Sequence, residues 1–262
     1  MTLAVIVLSL IAPLMVVHDP LKLDLAHAFQ GPSPTYLLGT DDLGRDILTR
    51  LLLGGRVALL IAALAVAWSS IVGIALGLVA GYLGGWVDAL LMRVMDAQLA
   101  IPGLLLALGI TAALGPSLPT LAVAIGVAGI PGFARLIRSQ VLVLRELEYV
   151  TAARVIGAPS SRIMLRHVLP GTTSNVIVSL SLRAPSAIVA EASLSFLGLG
   201  VQPPTPTWGS MINTGQRYLE IAPMFTFAPA AAILLTVLSL TLLGEGIRDL
   251  LDPRVRARVG LR

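Results

Sequence analysis

The sequence predicts an all-α fold: a polytopic membrane helical bundle of about six transmembrane helices. Three observations carry that prediction. The chain of 262 residues is 56% hydrophobic and only 12% charged, whereas a soluble domain carries about 25% charged residues. Its mean hydropathy is +0.90, which leaves too little polar surface to coat a particle in water. Its apolar stretches also run unbroken well past the ten or so residues of an alternating membrane β-strand. They are long enough for helices of roughly 20 residues crossing a hydrocarbon core of about 30 Å.

The first apolar run, Met1 to Val17, reads as an uncleaved helix from a chain whose start lies upstream. Ala26-His27-Ala28 imitates a signal-peptidase site, but it stands about ten residues past the apolar run, across the polar Asp19-Pro20-Leu21-Lys22. The second span is expected from Val57 to Tyr82, with Gly73, Gly77 and Gly81 on one stripe. Small residues at that spacing let a neighbouring backbone approach, because association in lipid relies on packing. Trp86 to Gln98, with Asp88, Arg93 and Asp96, reads as an interfacial helix. A third span is expected over Leu99 to Leu114, a fourth over Leu118 to Ile137, a fifth over Asn175 to Leu199 and a sixth over Pro223 to Leu243. A Pro- and Gly-rich loop is expected to link the last two.

The charges orient this bundle. Arg135 to Arg166 holds six arginines against Glu146 and Glu148, and Arg248 to Arg262 holds five against Asp249 and Asp252. Short basic loops stay on the cytoplasmic side, so both segments are expected inside. His18 to Arg56, with five aspartates, is expected outside, as is Gly200 to Ala222. The net charge of +4 and pI near 10.1 therefore reflect membrane topology, and nucleic acid is not an expected partner.

Several chemistries are excluded by residue type. A phosphate-binding loop needs a lysine after its glycines, and Lys22 is the only lysine, in a glycine-free context. Cysteine is absent, and His18, His27 and His167 are scattered, so neither thiolate chemistry nor a histidine metal site is expected. No serine elbow or zinc-protease motif appears. Catalytic residues are expected to be none.

Thr151-Ala-Ala-Arg-Val-Ile-Gly-Ala-Pro-Ser-Ser-Arg-Ile-Met-Leu-Arg-His-Val-Leu-Pro170 forms an ordered pattern. Gly157 suits a left-handed helix C-cap, Pro159 the first turn of a second helix, and Pro170 its end. This segment resembles the EAA loop of binding-protein-dependent ABC importer permeases. Ala152, Ala153, Gly157, Leu169 and Pro170 fall at the family spacing, His167 lies within it, and Thr151 replaces the name-giving glutamate. Gly39-Thr-Asp-Asp-Leu-Gly-Arg-Asp46, running on to Arg50 and Arg56, is similar to the opening of DppC/OppC-type subunits of dipeptide and oligopeptide importers. So is Glu191-Ala-Ser-Leu-Ser-Phe-Leu-Gly-Leu-Gly200 with Pro203-Pro204 and Trp208-Gly209.

The resemblance implies a type I ABC importer permease fold in a bacterial plasma membrane; the even number of spans and the basic C-terminal tail place both termini in the cytoplasm. It divides the chain into residues 1–56 (first helix and external loop), 57–250 (the permease domain) and 251–262 (a basic cytoplasmic tail). It implies a second homologous permease, cytoplasmic ATP-binding-cassette ATPase subunits that dock on Thr151 to Pro170, and an extracytoplasmic substrate-binding protein. ATP and Mg would reside on those partners, and no cofactor is expected in this chain. The cargo it implies is a dipeptide or oligopeptide, with nickel or another small solute as the alternative. Among other classes, an ion-gradient carrier would show inverted repeats of broken helices, and an intramembrane hydrolase would need a facing dyad.

Arg183 and Glu191 fall inside the fifth span. A charge there costs about 3 kcal/mol on insertion scales, so each is expected to face a pathway, a cavity or a partner. Eight residues of helix separate them by about 12 Å along the axis, so they are not expected to pair. One reading places them on the solute pathway, with Arg183 attracting a carboxylate. The other makes each half of an ion pair with another helix or the partner permease. Pro185 between them is expected to kink the helix.

Overall fold

The structure, a computed structural model, describes residues 19–251. The helix expected over Met1 to Val17 and the tail past Leu251 lie outside the described residues. Helix α1 spans Ile47–Leu83, α2 Gly85–Leu99, α3 Gly103–Leu114, α4 Leu118–Leu144, α5 Glu148–Val155, α6 Ser160–Ile163, α7 Thr173–Phe196, α8 Trp208–Gly215 and α9 Met224–Leu251. Four helical stretches are long and apolar enough to cross a membrane on their own, and α2 with α3 form one further bent pair.

Helix α1 starts at Ile47 rather than Val57. Asp46 caps it by accepting from the backbone N–H groups of Leu48 and Thr49, and from the Thr49 hydroxyl at 2.6 Å. These bonds satisfy donors that a helix start leaves unpaired, so the helix begins before the apolar run does. At 1.5 Å per residue its 37 residues reach about 55 Å.

The third crossing also differs from the expectation. Helix α3 has only 12 residues, about 18 Å, which is too short to cross alone. It follows α2 across an 87° bend, where Pro102 lacks an N–H and disfavours helix at Ile101.

Helices α1 and α4 meet along a seam of close backbone contact. A Cβ on Gly73 would lie 2.5 Å from Phe133 Cβ, and one on Gly77 would lie 2.4 Å from the Ala134 carbonyl oxygen. A Cβ on Gly81 would lie 2.8 Å from Val141 Cβ. Reciprocally, Gly126 and Gly129 of α4 admit Trp68 and Ser69 of α1. The glycine stripe is therefore a packing device. Partner numbers rise together along both helices, so α1 and α4 run parallel. The chain must recross between them, and the bent pair supplies that return.

Other boundaries shift outward. Helix α4 continues past Ile137 to Leu144, and α9 past Leu243 to Leu251. The Gly200 to Ala222 loop contains α8, started by a capping box between Thr207 and Ser210. Helix α7 runs through Pro185.

Near the start of α1 a polar knot organises the preceding loop. Asp41 is fully buried and accepts from the backbone N–H groups of Leu43 and Arg45 and from Arg45 Nε at 2.7 Å. Arg50 Nε lies 3.3 Å from the same carboxylate. Burial, then the neighbouring Asp41 charge, raises the Asp42 pKa above the ordinary carboxylate value. The loop reaches the 3₁₀ turn that follows α8 through Phe29 against the Tyr218 ring, 4.7 Å between centroids.

Candidate functional site

Two regions carry the residues singled out by the sequence. The first is the basic segment after α4. Helix α5 ends in a Schellman motif, in which the Gly157 N–H donates to the Arg154 carbonyl and the Ala158 N–H to that of Ala153. Gly157 has φ +81°, and nothing lies within 4 Å of where its Cβ would be. The backbone angle, and not space, is what favours glycine there. Pro159 is the N-cap of α6 rather than its first residue.

Pro170 does not end the second helix. A π turn over Met164–Val168 and a 3₁₀ turn over Leu169–Thr172 carry the chain into α7, so Ser160–Phe196 is one helical stretch. Pro170 sits at the start of the 3₁₀ turn, where a missing N–H leaves no bond unmade.

This segment is seated firmly. Val150, Ala153, Ile163 and Val168 are buried in one cluster with Leu78 of α1 and Ile137 and Val141 of α4. Arg145 Nη1 donates to the Gly81 carbonyl at 2.8 Å. Thr151, Ala152 and Gly157 are exposed, His167 and Leu169 are half-buried, and Pro170 is exposed. At the tip Val155 and Ile156 are 81% and 83% exposed. Those two apolar side chains were not singled out from sequence. Their signal is the pair of β-branched residues immediately before a C-capping glycine.

Two ion pairs tie α2 to α4. Arg138 bridges both Asp88 carboxylate oxygens, its Nη2 contact measuring 2.6 Å, and Arg135 reaches Asp96 at 2.5 Å. Gln98 Nε2 adds a bond to the Val127 carbonyl at 2.6 Å. Asp88 and Asp96 are thus engaged with arginines and do not face one another.

The second region is a cavity of about 230 Å³ between α1, α3, α4 and α7. Ser69, Leu104, Gly129, Arg183, Ser186 and Ala187 are among its lining residues. The Arg183 guanidinium carbon sits 4.7 Å from the centroid of the Phe133 ring. Gly132 makes room for it, since a Cβ there would lie 1.8 Å from Arg183 Nη2. Glu191 is elsewhere on α7, fully buried, accepting from Ser195 Oγ at 2.7 Å. Its other oxygen has no hydrogen-bond partner among the described residues. The structure therefore does not bring Arg183 and Glu191 together as a pair. Phe133 and Gly132 were also not singled out. Their signal is Pro131-Gly132 inside an apolar run, a rare interruption of a helix interior.

Parallel α1 and α4, a bent crossing between them and a basic segment before α7 define a helical membrane-spanning bundle. The sequence matches the binding-protein-dependent transport system inner membrane component family over residues 73–257, and the chain belongs to that family. It is 45% identical to a glutathione transport system permease protein of Pectobacterium atrosepticum, over 87% of this chain and 76% of that protein. It is 41% identical to a dipeptide transport system permease protein of Alkalihalophilus pseudofirmus, over 96% of this chain and 83% of that one. In fold it is similar to the crystal structure of an amino acid ABC transporter with histidines, at a TM-score of 0.59 and 16% identity. That match covers 77% of this chain and 94% of the other. The chain is thus an ABC importer permease subunit and a multi-pass inner-membrane protein.

Proposed function

We propose that this subunit forms, with a second homologous permease, the membrane pathway of an importer of small peptides. The observation that carries the reading is the combination of family membership with the rigid, basic segment presenting Val155 and Ile156. In this reading ATP is hydrolysed on separate cytoplasmic ATPase subunits, where ATP and Mg reside, and Thr151 to Pro170 docks on them. Exposed β-branched side chains flanked by arginines suit a groove with an apolar floor and an acidic rim. An extracytoplasmic binding protein delivers cargo, and both termini are cytoplasmic. The relatives named for dipeptide and for glutathione transport support peptide-like cargo, glutathione being itself a tripeptide. Nickel or another small solute is the competing cargo.

The chain has no native cysteine, so single cysteines report without background. Ile156→Cys is expected to cross-link to a co-expressed ATPase subunit and to resist impermeant thiol reagents added to intact cells. Labelling of that position from outside would overturn the orientation, and absence of any ATPase cross-link would overturn the docking. Uptake of labelled dipeptides and glutathione by cells expressing the assembled importer is expected to exceed uptake of nickel; the reverse order would replace the cargo.

A further inference from the structure

We infer that the cavity holding Arg183 is a carboxylate-binding subsite within the membrane, contacting cargo through its free carboxylate as it passes. The inference rests on the importer reading and adds a chemical group and a place to it.

Arg183 lies near the middle of α7, a helix apolar enough to span the bilayer. A guanidinium stays charged in proteins, so in that setting it needs an anion, water or an aromatic face. Among the described residues no hydrogen bond or ion pair of this guanidinium is found, and it rests on the Phe133 ring and against Gly132. A ring face attracts the cation through its quadrupole and consumes no N–H donor. The five donors of the fork remain for a ligand, and two of them match a carboxylate side by side.

The surroundings favour a transient ligand over a permanent one. Ser69 and Ser186 line the same cavity, but their hydroxyls already donate to the Val66 and Arg183 carbonyls. As acceptors with their donors engaged, they add polarity without competing for the anion. The rest of the lining is apolar, and apart from Val66, Leu104 and Ile125 it consists of glycine and alanine, which leaves the space open. Glu191, the nearest acidic residue along α7, is turned to Ser195 and gives the guanidinium no counter-charge. Gly132 fixes the position, because only a residue without Cβ lets Nη2 sit against the α4 backbone.

The test uses membranes containing the full chain with Ser186→Cys in its cysteine-free background. Labelling is compared for an anionic and a cationic methanethiosulfonate reagent of similar size. The anionic reagent is expected to react about tenfold faster than the cationic one, as a focused positive field requires. N-acetylalanine is expected to protect the cysteine, and its uncharged amide is not. Adding Arg183→Gln should collapse both preferences. Adding Gly132→Ala, which keeps the charge but displaces the guanidinium, should remove the protection at normal protein yield. Equal protection by acid and amide, no labelling by either reagent, or protection that survives Gly132→Ala would each overturn the subsite. If Arg183→Gln removes the chain from the membrane while acid and amide protect equally in its absence, the guanidinium belongs to an ion pair with the partner permease. None of these readouts requires ATP hydrolysis or transport, so their failure is separable from failure of the ATPase cross-link.

Discussion

Replacing Gly77 with leucine is expected to remove the folded subunit from the membrane. A Cβ at that position would stand 2.4 Å from the Ala134 carbonyl oxygen and 2.9 Å from Ile137 Cβ. Overpacking a core typically costs about 1–3 kcal/mol, and here the obstacle is backbone, which cannot rotate aside. The whole seam from Gly73 to Gly81 would have to open, and with it the seat of Leu78 among Ile137, Val141 and Val150. Membrane yield and thermal unfolding in detergent measure this. Gly109→Ala and Gly246→Ala are the controls, since nothing lies within 4 Å of a Cβ at either position. Wild-type yield and melting for Gly77→Leu would show that α1 and α4 do not pack along this stripe.

Gly157→Val is expected to leave the subunit in the membrane and to impair transport. Space is not the difficulty there, because no atom lies within 4 Å. The difficulty is φ +81°, where a side chain costs about 1–2 kcal/mol and a β-branched one more. A strain of that size reduces the population of the native turn on the order of tenfold, and the Val155–Ile156 tip moves with it. Uptake should fall by a similar factor while ATPase subunits still co-purify. Gly157→Asn should recover most activity, because asparagine tolerates the left-handed region. Normal uptake by the valine variant would remove the turn from the coupling path. Equal damage by asparagine would mean that a side chain at that site, and not the backbone angle, is what matters.

Much of this architecture is legible in the residues, and the gaps have physical causes. Spans are set by apolar length, which is why α1, α4, α7 and α9 fall near their expected places. Their ends are set by caps, and caps are single residues. Asp46 starts α1 within what reads as a polar loop, and Thr207 starts α8 inside a Pro-rich one. The short α3 was legible as apolar but not as partial, because its deficit is made up by the bend at Pro102 and by α2, whose acids are neutralised by Arg135 and Arg138 from far along the chain. The ordered alanine, glycine and Leu-Pro positions of the basic segment were readable as a motif. That Pro170 continues a helix was not, since the π and 3₁₀ turns redistribute hydrogen bonds in a way that composition does not encode. Arg183 was conspicuous as a charge in an apolar run, whereas its berth on Phe133 and Gly132 depends on a neighbouring helix.

The length of α1 has a mechanical meaning. About 55 Å of continuous helix exceeds a hydrocarbon core of about 30 Å, so α1 projects beyond the bilayer. One end is anchored in the knot of Asp41, Arg45 and Arg50, and the other is bonded at Gly81 to Arg145 beside the basic segment. The helix is a stiff rod held at both ends, packed against α8 near its start and against α4 from there on. A tilt of roughly 5° about its midpoint displaces each end by about 2 Å. A rigid-body tilt of this kind is expected to carry a force on the basic segment to the loop that Asp41 organises, without a relay of side chains in between.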